Sequence, residues 1–237
     1  MSNSYFKFKQ FTIEQDACAM KVCTDACVFG AWLSTKLQLL KTNNLLDIGT
    51  GTGVLSLMIA QNNQAPVDAI EIDEAASKQA GENFASSPWS ARLHVVNADI
   101  RKLVSTKKYE FIFSNPPFFD NDLKSTNTQR NTALHSANLS ATELIESIRT
   151  IITEDGYLAL LLPPHRVKQY EELALENGLF IVEKVAVKQT ENHVPFREML
   201  LFSKTRQTVK KSEIIIKVGA SYSTSFFELL KDYYLYL

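Results

Sequence analysis

No stretch constrains this chain more than Asp47-Ile48-Gly49-Thr50-Gly51-Thr52-Gly53. Its glycines follow the apolar run Asn44–Ile48 and precede the helix-like run Val54–Ala60. Strand, glycine turn and helix make the nucleotide-binding arrangement of open α/β sheets. Glycine lets the backbone approach a ligand closely and take φ values closed to other residues. A tight turn with no ligand is the plain alternative for such a loop taken alone. Two details narrow the reading. Asp47 precedes the glycines, where a carboxylate can face a cationic or amino-bearing ligand. The spacing is GxGxG, whereas a pyrophosphate is suited by GxGxxG. A nucleoside without a phosphate fits better than a dinucleotide.

The next two runs place acids for the same kind of ligand. Pro66–Glu71 is a second strand ending in a carboxylate, and Glu71 lies about twenty residues beyond the loop, where an acid can bind ribose hydroxyls. Asp73 is placed to cap the helix Glu74–Phe84. Arg92–Val96 is a third strand, followed by Asn97-Ala98-Asp99-Ile100. Asp99 can accept from an adenine amino group; a loop or cap carboxylate is its other reading.

Tyr109–Ser114 is a fourth strand, and Asn115-Pro116-Pro117-Phe118 stands at its C-terminal end, the functional edge of such a sheet. Consecutive prolines stiffen the turn and remove backbone donors. The amide oxygen of Asn115 and the carbonyl of Pro116 can then point at one –NH2 group. An amine conjugated to a ring is a poor nucleophile because its lone pair is delocalised. Accepting its hydrogens shifts the nitrogen toward a tetrahedral, more nucleophilic state. Alignment with a methyl sulfonium then supplies most of the acceleration, with no strong base. Phe118 offers a face on which an extruded base can stack. Together the two motifs point to methyl transfer from S-adenosylmethionine to an amine.

Asp-x-Gly-x-Gly-x-Gly with Asn-Pro-Pro-Phe resembles the class I aminomethyltransferases, which methylate adenine, guanine or glutamine nitrogens. Upstream, Phe11–Asp16, Met20–Ala26 and Gly30-Ala31-Trp32 are similar to the N-terminal signature of the bacterial tRNA1(Val) adenine-37 N6-methyltransferases. The likeness runs from about Phe6 to the C-terminus. It implies a Rossmann-like α/β fold with a central, mostly parallel sheet of seven strands, an antiparallel closing strand and helices on both faces. It also implies that Lys21, Thr24 and Asp25 close over the methionine end of the cofactor. With them, Asp47, Gly49, Gly51, Gly53, Glu71, Asp99 and Asn115 make the expected cofactor set. Asn115, Pro116, Pro117 and Phe118 make the expected catalytic set. The expected partner is tRNA, held at the anticodon loop by a monomeric enzyme.

The remaining chain fits this plan. Ser140 with Glu143 is a capping box ahead of a helix to Ile152. Gly156–Leu162 is a fifth strand, His165–Glu176 a helix ended by Asn177-Gly178. Leu179–Lys188 and Arg197–Ser203 form a closing antiparallel hairpin. Residues 1–205 are expected as the methyltransferase domain with a cofactor-covering N-terminal segment, and 206–237 as a small appendage packed on it.

The 237 residues carry a net charge of −1, so RNA must be met by local patches. Candidates are Lys7 and Lys9, and the cluster Arg206, Lys210, Lys211 and Lys217; Lys107 and Lys108 suit a solvated turn. His135 and His193 are loop histidines able to touch phosphate or base. Cys18, Cys23 and Cys27 have no companion histidines, so no metal is expected. The start lacks an apolar targeting segment and no run reaches membrane-spanning length, so a cytoplasmic protein is expected. Three activities remain open: an RNA base methyltransferase (adenine, or guanine in ribosomal RNA), a protein-glutamine methyltransferase, and a cofactor and RNA binder without turnover. The glutamine enzymes are expected to carry a further helical N-terminal domain, whereas the first strand here begins near Asn44.

Overall fold

A computed structural model describes residues 3–18, 20–40, 42–103, 106–117 and 139–237. Phe118 and the stretch Gln129–His135 lie outside the described residues.

Among the described residues the central sheet has nine strands. β3 (Leu45–Ile48), β4 (Val67–Glu71), β5 (Leu93–Asn97) and β6 (Tyr109–Ser114) are parallel, with β3 between β4 and β6. β7 (Ile152–Leu162) continues the parallel set beside β6. β8 (Phe180–Thr190) and β9 (Arg197–Ser203) form the closing hairpin, with β9 antiparallel to both β7 and β8. These are the seven strands the motif pattern leads one to expect. The other two come from the C-terminal stretch expected as an appendage. β10 (Lys210–Val218) joins the sheet parallel to β8, and the short β11 (Ser221–Tyr222) folds back on it.

Why these segments take these forms is visible locally. β3 is buried at every residue, as a parallel strand covered on both faces must be. α2 (Val54–Asn62) follows the glycine loop on one face, packed on α1 (Thr24–Leu40). Their axes approach closely because Gly30 has no side chain: a Cβ there would sit 2.7 Å from Met58 Sδ. α3 (Glu74–Ala85) starts where Asp73 accepts from the Ala76 amide at 2.8 Å. α4 (Ala141–Ile151) carries the Ser140–Glu143 capping box and covers the opposite face with α5 (Pro164–Glu176). Its buried stripe Leu144, Ile145, Ile148, Ile151 meets Leu46, Ile112, Leu158 and Leu160 of the sheet.

The termini fasten the first core rather than trail from it. β1 (Tyr5–Lys7) and β2 (Thr12–Glu14) form a hairpin against α3. Asn83 of α3 clamps it: its Oδ1 takes the Glu14 amide and its Nδ2 donates to Glu14 O and Thr52 O, each at 2.9 Å. Phe226 and Leu230 of α6 (Thr224–Leu230) and Tyr233 beyond it enter the same cluster as Phe29 and Leu57. Among the described residues no helix is long and apolar enough to cross a membrane.

Candidate active site

The C-terminal ends of the parallel strands share one edge, and a cleft of about 600 Å3 opens there. That volume lies within the ~300–1,000 Å3 of ordinary small-molecule sites. Its floor is the glycine loop. Gly49 and Gly51 have φ of 72° and 55°, line the cleft, and would each place a Cβ in open space. Bare backbone is thus presented to whatever lies above. Gly53 does a different job: at φ 82° it packs against Phe84, whose Cε1 would be 2.5 Å from an added Cβ. It is not part of the cleft wall.

Asp47 sits below the loop and is fully buried. Its Oδ2 accepts from Thr50 Oγ1 at 2.6 Å and Ser56 Oγ at 2.7 Å, which fixes the turn. Among the described residues its Oδ1 is buried with no partner. Burial pushes the Asp47 carboxyl up to about 6, against the pull of those hydroxyls. Glu71 ends β4 in the cleft wall. Its Oε2 takes the Gly51 amide at 2.8 Å and its Oε1 the Asp73 amide at 3.0 Å. One carboxylate therefore holds two loops and still faces the cleft.

Asp99 and Arg101 form the next part of the wall. The guanidinium spans both carboxylate oxygens, with Nε–Oδ1 at 2.9 Å and Nη2–Oδ2 at 2.8 Å. These bonds hold the Asp99 carboxyl below its ordinary range. Arg101 belongs to none of the motifs; its signal in the sequence is an arginine two residues after an acid at a strand end.

The Asn115 turn is positioned from β3. Ser114 Oγ donates to Ile48 O at 2.7 Å, tying the end of β6 to the start of the glycine loop. Asn115 and Pro117 line the cleft, while Pro116 is buried. Asn115 Oδ1 is buried and, among the described residues, has no partner.

The covering segment is placed differently from the expectation drawn by resemblance. Cys18 and Met20 line the cleft, whereas Lys21 is exposed and donates to Asn3 O at 2.8 Å. Thr24 opens α1 and is exposed. Asp25 reaches the site through Arg197, a cleft-lining residue whose Nε donates to Asp25 Oδ2 at 2.8 Å. Met20 opens the Met20–Ala26 stretch of the N-terminal signature, whereas Arg197 carries no motif of its own and only the fold brings it here. Among the described residues no group of three or more His, Cys, Asp or Glu is placed to hold a metal ion.

The basic cluster near the C-terminus divides. β10 pairs with β8 from Lys210↔Glu183 to Lys217↔Thr190. Lys217 thus lies toward the edge where the cleft opens, and Lys210 and Lys211 toward the opposite edge, ~20 Å away at strand rise. Arg206 goes with the far pair, its guanidinium 4.5 Å from the Phe180 ring at the start of β8. His193 is exposed beside the end of β8, with its Nδ1 2.6 Å from Thr190 Oγ1.

An open α/β sheet with a bare glycine cradle and an Asn-Pro-Pro turn at its C-terminal edge defines a class I methyltransferase, with S-adenosylmethionine as methyl donor. A family model described as the methyltransferase small domain matches residues 21–190. The chain belongs to that family and, within it, to the tRNA1(Val) (adenine(37)-N6)-methyltransferases. The protein of that name from Dyadobacter fermentans is 38% identical over 98% of both chains. Its namesake from Cytophaga hutchinsonii is 39% identical over 100% of both. Solved structures share the fold. A predicted O-methyltransferase from Agrobacterium tumefaciens superposes with a TM-score of 0.66 at 16% identity, covering 88% of this chain and 96% of that one. The Thermus thermophilus 16S rRNA N2 G1207 methyltransferase, solved with AdoMet and guanosine, gives 0.61 at 18% identity, covering 85% of this chain and 50% of its own.

Proposed function

We propose that this enzyme methylates the exocyclic amine of adenosine 37 in tRNA1(Val), giving N6-methyladenosine. The observation that carries the mechanism is the orphaned Asn115 Oδ1 in the cleft. A buried acceptor without a donor costs about 1–3 kcal/mol, a cost removed when a ligand amine enters.

S-adenosylmethionine, when bound, supplies an electrophilic methyl group. The residues fit it. Gly49 and Gly51 leave room for its methionine part, and the unpartnered Asp47 Oδ1 lies beneath them. Glu71 would take the ribose hydroxyls and Asp99 the adenine amine. Asn115 Oδ1 and the Pro116 carbonyl accept the two hydrogens of the target amine. In these roles they would draw the nitrogen out of conjugation and direct its lone pair toward the donated methyl group. The proton is lost after transfer, when the nitrogen is strongly acidic, so no general base is required. Phe118 is the proposed stacking partner for the target base.

The relatives' shared name favours adenosine over a ribosomal guanine or a protein glutamine. We further propose that the enzyme is a cytoplasmic monomer that meets the anticodon loop at the cleft edge. Labelled methyl transfer to unmodified total tRNA, followed by nucleoside analysis, tests this reading. Label in N6-methyladenosine of tRNA1(Val) is the expected result. Label in methylguanosine would keep the class and replace the base.

A further inference from the structure

Asp99 has more partners than an adenine acceptor needs. The Arg101 amide donates to Oδ1 at 3.0 Å, Nε lies 2.9 and 3.0 Å from Oδ1 and Oδ2, and Nη2 donates to Oδ2 at 2.8 Å. Among the described residues three hydrogens therefore occupy a carboxylate with about four lone-pair positions. Room is left for one more donor. A planar fork that grips both oxygens also fixes the plane of the carboxylate, which a point charge cannot do. The side chains are partly buried, at 14% exposure for Asp99 and 23% for Arg101, so the pair is not a freely solvated one.

Arg101 reaches in a second direction. Its Nη1 lies 3.3 Å from Glu143 Oε1. The other oxygen of Glu143 accepts from Ser140 N at 2.9 Å and Ser140 Oγ at 2.7 Å, closing the cap of α4. The preceding residue, Leu139, lines the cleft. One guanidinium thus joins the acid after β5 to the capping turn of α4, whose neighbour Leu139 lines the cleft.

We propose that Arg101 is the positioning residue that sets selectivity for the adenine base of the cofactor, by holding Asp99 with one acceptor position turned into the cleft. This rests on the reading of Asp99 as the adenine-facing acid. A fixed carboxylate welcomes the 6-amino group of adenine and repels the 6-oxo group of hypoxanthine. Without Arg101, Asp99 rotates into water and the two bases become nearly equivalent.

The test compares S-adenosylhomocysteine with S-inosylhomocysteine, the same thioether carrying hypoxanthine. Calorimetry on the full chain gives the ratio of their dissociation constants. The native protein should prefer adenine by at least about tenfold, as one charge-assisted hydrogen bond implies. Arg101→Ala should reduce that ratio to below about threefold. Arg101→Lys should reduce it too, because an ammonium cannot span both oxygens, and it serves should the alanine variant fail to fold. A merely structural loss would weaken both ligands equally and leave the ratio alone; that result overturns the proposal. Asp99→Asn separates the two levels. If it loses selectivity while the Arg101 variants keep theirs, Arg101 is not the positioning residue. If it keeps selectivity, Asp99 does not face adenine and the proposal falls with that reading.

Discussion

Glu71 Oε2 accepts the backbone amide of Gly51 at 2.8 Å across about twenty residues of chain. The acid at the end of β4 is therefore a brace for the glycine loop as well as part of the cleft wall. Glu71→Ala is expected to act twice. It removes an acceptor for the ribose and frees a loop whose glycine gains conformations once released. A loss of about 1.5–3 kcal/mol for one charged hydrogen bond is the minimum expected in cofactor affinity. Calorimetry with S-adenosylhomocysteine checks it. Native affinity in this variant would remove Glu71 from the binding site.

Asn115→Ala should leave cofactor binding intact and lower kcat by at least ~100-fold, the scale of losing one preorganised polar contact. The contact strengthens as the nitrogen becomes tetrahedral, so KM for tRNA should change little. Single-turnover rates with saturating tRNA and cofactor give the comparison. A variant with near-native kcat would refute the amine-orienting role.

The asymmetry of Asp47 gives a pH signature. Burial raises its pKa from 3.8 to about 6 in the folded chain. Between those values the folded state holds a proton that the unfolded state has released. Stability from this group is therefore complete below about pH 4, falls as pH rises to about 6, and is level above that. The span is on the order of 3 kcal/mol. Denaturant unfolding of the native chain and Asp47→Asn from pH 4 to 7 isolates it. The stability difference between the two should shift across that window; parallel curves would show that Asp47 titrates normally.

Much of the site was legible because each motif occupies a strand end, and strand ends of a parallel sheet converge on one edge. Glu71, Asp99 and Asn115 are separated in sequence yet each ends or follows an apolar run, so their common edge could be read, whereas Asp47 lies within β3 beneath the loop. Asp73 and Ser140 were legible as caps because capping is local. The rest depends on distant partners. β10 pairs with β8 in parallel some thirty residues away, and nothing within Lys210–Val218 announces its neighbour. α1 is buried through most of Asp25–Ser34, so no polar face marks it as a helix against a sheet. Arg197 reaches the cleft only because β9 inserts between β7 and β8.

The division of the basic cluster leads to a prediction about tRNA. As a sequence cluster, Lys210, Lys211 and Lys217 form one patch; as a strand, they lie toward opposite edges of the sheet. Lys217 is on the cleft side, its Nζ 5.8 Å from the Tyr222 ring, and among the described residues it makes no ion pair. Tyr222 is 47% exposed, so ammonium and phenol together offer donors to a phosphate. Lys217→Glu should raise KM for tRNA several-fold and reduce the salt dependence of binding by about one counterion. Cofactor affinity should be unchanged, since Lys217 is not a cleft-lining residue. The double reversal of Lys210 and Lys211 changes more charge but on the far edge, so its effect should be smaller at 0.15 M salt, where screening acts within about 8 Å. Steady-state kinetics at several salt concentrations decide between them. A larger effect from the Lys210 and Lys211 pair would mean that tRNA wraps the opposite edge, and that the anticodon loop enters the cleft from the other side of the sheet.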